Sequence, residues 1–101
     1  MAFELTAANF EEAAEMGKPM LVDFWAPGCG PCKRMGPVIE ELAEERQDAL
    51  VCKVNVDENG DLAERFGVMN IPNFVVIKNG EVTGRQIGAC SKDVLTGLLD
   101  G

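Results

Sequence analysis

A chain of 101 residues can bury one core but not two separate ones, which predicts a single domain over 1–101. Its 47% hydrophobic and 26% charged residues fit a folded globular chain rather than a disordered one. With 17 acidic against 9 basic residues, and no apolar run of membrane-spanning length, neither nucleic acid nor a membrane is an expected partner.

The opening segment MAFELTAANFEEAAEMG has neither a cationic start nor an apolar stretch of signal length, so no export is expected. Asn9 and Glu12 have the spacing of a capping box. Phe10, Ala13, Ala14 and Met16 follow, with Gly17 just past them, which predicts a short first helix. Residues 20–26 are apolar on both alternating faces except at Asp23, the pattern of a central strand covered on both sides, with Asp23 buried. Beyond Cys32, Met35, Val38, Ile39, Leu42 and Ala43 recur at helical spacing, while Glu40, Glu41, Glu44 and Glu45 take the other face. A second helix therefore opens at the cysteines, with Pro37 inside it removing a backbone donor and expected to kink its axis. Residues 50–57 alternate as a strand, and a short helix over 61–66 stops at Gly67. Segments 74–77 and 81–87 flank Asn79-Gly80, the strongest short-range hairpin signal. Ser91 caps a last amphipathic helix carrying Val94, Leu95, Leu98 and Leu99. There is no repeat, low-complexity tract or linker, and the order predicts an α/β fold, a mixed sheet with helices on both faces.

Four cysteines without an export signal argue against a disulfide framework, and their spacing is uneven. Cys29-Gly30-Pro31-Cys32 is a Cys-x-x-Cys unit in a chain with no histidine, readable as a redox dithiol or half of a metal site. No second Cys-x-x-Cys or histidine pair completes a four-ligand zinc set, so no metal is expected. A cysteine at a helix start has its thiolate stabilised by free N–H groups and the helix dipole, which makes Cys29 the nucleophile. Pro31 is tolerated in the first turn, where its missing donor is no loss, and Cys32, deeper in the helix, becomes the resolving thiol. Asp23, on the same strand face as Leu21 and Trp25, is raised toward neutrality by burial and can accept the proton of Cys32. The competing reading makes Asp23 and Lys53 a solvated cross-strand pair. Cys52, alternating with Leu50 and Val54, reads as a small buried hydrophobe, and Cys90 as a partly exposed thiol open to intermolecular disulfides or glutathionylation.

Five segments in register, VDFWA at 22–26, CGPCK at 29–33, KVNVDEN at 53–59, Ile71-Pro72 and Ile87-Gly88-Ala89, resemble the thioredoxin family along nearly the whole chain. The resemblance implies a thioredoxin fold, with a central mixed sheet of about five strands and about four helices. It implies a cytoplasmic, monomeric protein-disulfide reductase that carries electrons in its own Cys29–Cys32 disulfide, without further cofactor. Thioredoxin reductase would be the donor and disulfide-containing proteins the targets. It also implies that Asp23 takes the proton with Lys53 close by, and that Pro72 is cis beside the dithiol. The backbone at Asn70 and Ile71 would receive an extended target, with Gly30, Pro31 and Gly88 completing a flat apolar surface and Trp25 packing beneath the loop. Two positions depart from the family, Gly28 where tryptophan is usual and Asn73 where threonine is usual. Both are expected on the rim that meets substrates and so bear on partner choice. The alternative is a specialised electron-transfer partner, or a non-catalytic interaction module on the same fold.

Overall fold

A computed structural model describes residues 1–101. In chain order the elements are β1 (Phe3–Glu4), α1 (Phe10–Ala14), β2 (Met20–Trp25), α2 (Gly30–Glu45), β3 (Leu50–Asn55), α3 (Gly60–Arg65), β4 (Asn73–Lys78), β5 (Glu81–Ile87) and α4 (Lys92–Asp100). They build one five-stranded sheet in the order β1-β3-β2-β4-β5. β1 and β2 run parallel to β3, whereas β4 is antiparallel to both β2 and β5, so the sheet is mixed. This is the thioredoxin-fold arrangement expected from the sequence.

Strand position follows from apolar patterning. β2 and β4, buried along almost their whole lengths, occupy the middle, and the polar β5 takes an edge. Alternation then feeds two apolar layers. On one face Leu21, Val51, Phe74 and Val76 pack with Met35, Ile39 and Leu42 of α2 and Leu95 and Leu99 of α4. On the other, Met20, Val22, Phe24, Cys52, Val54, Val75 and Ile77 pack with Phe10 and Ala13 of α1 and Leu62 of α3. Each large apolar side chain so buried contributes about 1.5–3 kcal/mol. The β4–β5 hairpin turns at Asn79 and Gly80, both with positive φ (53° and 80°), as a type I′ turn demands. Gly84 lets α4 approach β5, because a Cβ there would lie 3.0 Å from Leu98 Cδ2.

Several local expectations are corrected. β1 pairs only Phe3 with Cys52 and Glu4 with Lys53, too short to show a period in the sequence. Asn9 precedes α1 but makes no side-chain cap. Its Oδ1 instead accepts from the Thr6 N–H at 2.7 Å, closing a turn before the helix. Met16 and Val94, both placed on apolar helix faces, are exposed. Ser91 does cap α4, accepting from the Val94 N–H at 3.3 Å, and α2 continues through Pro37 as one helix.

Candidate active site

The reactive end of the sheet lies where β2 stops and α2 begins. Cys29 is the N-cap of α2, in extended conformation, and its Sγ accepts the Cys32 N–H at 3.2 Å. Its own N–H donates to the Ala26 carbonyl at 3.1 Å, which ties the intervening loop back to the strand. Pro31 occupies the first helical turn, where a missing N–H leaves nothing unsatisfied. Cys29 and Cys32 are joined as a disulfide, with Cα atoms 5.2 Å apart. The two sulfurs differ in access, since Cys29 is partly exposed and Cys32 is only 4% exposed.

Asp23 stands in β2 between Lys53 of β3 and Phe74 of β4 in the strand register. It is 4% exposed, and its Oδ1 has no hydrogen-bond partner. Burial pushes its carboxyl up to about 7, with Lys53 pulling weakly the other way. The chain's ion pairs lie elsewhere, so Asp23 and Lys53 do not form the solvated pair of the competing reading. Instead both line a cavity of about 190 Å³ together with Trp25 and Cys32, which puts the buried acid and the buried sulfur on one space. Lys33 and Glu40 also line it. Sequence reading passed over them, although their spacing with Gly36 marks one helical face beside Cys32.

The Ile71–Pro72 peptide is cis. Asn73 pairs with Phe24 near the end of β2, which brings Pro72 to the same sheet end as the dithiol loop. The Pro72 carbonyl accepts the Gly88 N–H at 2.8 Å, and Gly88 has φ +90°, a conformation that favours glycine. At this end Gly28, Gly30, Pro31 and Asn70 are exposed, and Ile71 and Gly88 are half-buried. Met69, not singled out from the sequence, is 90% exposed here. Asn73 is the correction. Expected on the rim, it is only 1% exposed, because it opens a strand buried on both faces, where it shares a face with Val75 and Ile77. Its amide is held by Asn70 and Arg85, the latter also missed.

Among the cysteines outside the pair, Cys52 is fully buried, with its thiol pushed up to about 12 by desolvation. Cys90 is half-buried against the α2–α4 layer, and burial and the nearby Asp23 both raise its thiol. No three His, Cys, Asp or Glu side chains gather where they could hold a metal ion, and no helix is long and apolar enough to cross a membrane.

A mixed sheet that presents a Cys-x-x-Cys disulfide at a helix start, with the second sulfur shielded, defines a thiol–disulfide oxidoreductase. The chain belongs to the thioredoxin family, whose model matches residues 1–100. It is 43% identical over 100 residues to a thioredoxin of Chlorobaculum thiosulfatiphilum, covering 97% of this chain and 93% of that one. It is 47% identical over 96 residues to a thioredoxin of Alicyclobacillus acidocaldarius, covering 94% and 91%. A thioredoxin of Pseudomonas aeruginosa is 44% identical over 98 residues, covering 95% and 91%. Members of this family act as protein-disulfide reductases through their own cysteine pair and without a cofactor, exchanging electrons with disulfide-containing targets and a reductase. The intact pair does not favour the non-catalytic alternative.

Proposed function

We propose that this chain works as a monomeric, single-domain, cytoplasmic reductase of protein disulfides, recharged by thioredoxin reductase, with a division of labour between its two cysteines. The observation that carries this reading is the unequal placement of the sulfurs, Cys29 accessible at the helix start and Cys32 buried on the cavity it shares with Asp23. In the cycle the Cys29 thiolate attacks one sulfur of a target disulfide, and the other target sulfur leaves as a thiolate. Cys32 then gives its proton to the Asp23 carboxylate and attacks Cys29 Sγ, releasing the second target thiolate and forming the internal disulfide. Two electrons and two protons from the reductase restore the dithiol. Lys53 supplies positive charge across the cavity that steadies ionised Asp23.

The docking surface in this reading is formed by the exposed Gly30, Pro31 and Asn70 and the half-buried Ile71 and Gly88, together with Pro72, which is itself buried. The Ile71 N–H donates to no group of the chain, which leaves it free for a carbonyl of an extended target segment. Gly28, exposed and without a side chain, leaves the approach to Cys29 open. Trp25, half-buried, supports the site from the cavity wall, and Pro37 lies further along α2 on its exposed side.

Brief iodoacetamide treatment of the reduced protein near neutral pH, followed by peptide mapping, tests the division of labour. Cys29 is expected to be labelled first, with Cys52 and Cys90 slow because burial raises both thiols. Cys32 is slow because it is shielded. First labelling at Cys32 or Cys90 would reverse the assignment.

A further inference from the structure

Between α3 and β4 the chain has no regular structure, yet it carries the backbone proposed above to receive the target. Two side chains outside that surface hold it. Asn73 is buried, its Nδ2 donating to the Asn70 carbonyl at 3.2 Å and its Oδ1 accepting from Arg85 Nη1 at 3.1 Å. The partners fix the amide's orientation, since a guanidinium only donates and a carbonyl only accepts. Arg85 also donates through Nη2 to the Phe66 carbonyl. The Phe66 ring is itself anchored in the core, with centroids 5.5 Å from Phe10 and 6.1 Å from Phe24. Arg85 thus grips the segment at its start and, through Asn73, at its end. The sheet register permits this. Arg85 pairs with Val75, so it meets Asn73 as the diagonal neighbour on the same face.

We propose that Arg85 and Asn73 form a clamp that positions the Asn70–Ile71 peptide for target proteins, which makes both of them positioning residues for protein substrates. The geometry of a trans peptide supplies the link. Its carbonyl and N–H point opposite ways, so drawing the Asn70 carbonyl inward onto Asn73 turns the Ile71 N–H outward. Threonine at position 73 could not span the same gap, because one hydroxyl lacks the reach and the two-ended chemistry of an amide. Lysine at position 85 could not replace arginine fully, since a compact ammonium cannot serve Asn73 and the Phe66 carbonyl in the fork geometry of a guanidinium. The clamp rests on the docking reading given above, while the reaction at sulfur does not require it.

The test compares Arg85→Ala, Arg85→Lys, Asn73→Ala and the double alanine variant with the parent, using dithiothreitol as electron donor. One substrate is insulin; the other is a small aryl disulfide, which presents no peptide backbone. For insulin, loss of preorganisation should raise KM roughly three- to tenfold in Arg85→Ala with kcat held within about twofold. The rate on the aryl disulfide should stay unchanged. The double variant should be no worse than Arg85→Ala alone, because the two side chains act as one unit. Arg85→Lys should recover part of the loss, and its milder change guards against a variant that merely fails to fold. Amide hydrogen exchange over 67–71 is read in parallel and should accelerate in Arg85→Ala. Equal losses on both substrates, or additive effects of the two substitutions, would overturn the proposal. Unchanged exchange would show that there is no clamp. Faster exchange with an unchanged insulin KM would show instead that targets do not dock on Asn70–Ile71, and would overturn the docking reading along with the proposal.

Discussion

Cys32→Ser is expected to accumulate stable mixed disulfides with target proteins and Cys29→Ser almost none, both variants losing turnover by roughly a thousandfold or more. The asymmetry follows from the order of action. If the accessible Cys29 attacks first, removing Cys32 leaves the mixed disulfide with no internal thiol to break it. Removing Cys29 prevents that bond from forming, and Cys32, 4% exposed, cannot take its place on a bulky target. Neither exchange should disturb the fold. Serine is a favoured N-cap, so Cys29→Ser keeps an acceptor for the Cys32 N–H. At position 32 serine is close in size to cysteine and lines a cavity that Asp23 and Lys53 also reach. Cys90, half-buried, is the confounding thiol, so both variants are made in a Cys90→Ser background. Immobilised variants are passed through cell extract and the bound proteins run on non-reducing gels. Equal trapping by the two, or trapping that depends on Cys90, would defeat the assignment of attacker and resolver.

The features legible in the sequence are those written in local spacing or strong contrast. Two cysteines separated by Gly-Pro declare their proximity whatever the fold. Asp23 declares its burial because every neighbour within three residues in β2 is apolar. Asn79-Gly80 fixes the hairpin because few other pairs adopt two positive φ angles in succession. What escaped depends on long-range pairing. β1 exists only because Phe3 and Glu4 find Cys52 and Lys53 some fifty residues on, and two residues have no period. Asn9 has the sequence of a cap, yet Thr6 competes for its oxygen from the preceding turn. The resemblance put Asn73 on the rim, and because both faces of β4 are apolar no alternation in the sequence marked it as buried. Arg85 was invisible because an edge strand tolerates charge, and only the fold shows that this cation turns toward Phe66 and Asn73. The chemistry of the dithiol was therefore readable locally, whereas the support of its docking surface was not.

Asp23→Asn should give a protein more stable than the parent above neutral pH and no more stable at acid pH, while resolving mixed disulfides more slowly. The sign follows from proton linkage. In the folded protein Asp23 titrates near about 7, against 3.8 for the exposed group, because burial disfavours its charged form. Between these values the native state holds a proton that the unfolded chain has lost, so stability falls as pH rises through the window and levels off above it. The full shift, with the opposing pull of Lys53 already in it, corresponds to a penalty of about 4 kcal/mol, an upper bound that local relaxation reduces, and a gain of roughly 1–3 kcal/mol is expected for the neutral amide. Urea unfolding of the oxidised parent and variant at about pH 4 and about pH 8 measures it, with the gap present only at the higher pH. A gap of equal size at both values, or a variant less stable at about pH 8, would contradict burial of the charge as its cause. The kinetic arm moves in the opposite direction. Without a proton acceptor beside Cys32, the resolving step should slow by about 10²-fold or more and lose the inflection that Asp23 gives it near neutral pH. The same carboxylate thus weakens the fold at the pH where it is ionised and able to take the proton, and the amide, by relieving that cost, removes the acceptor.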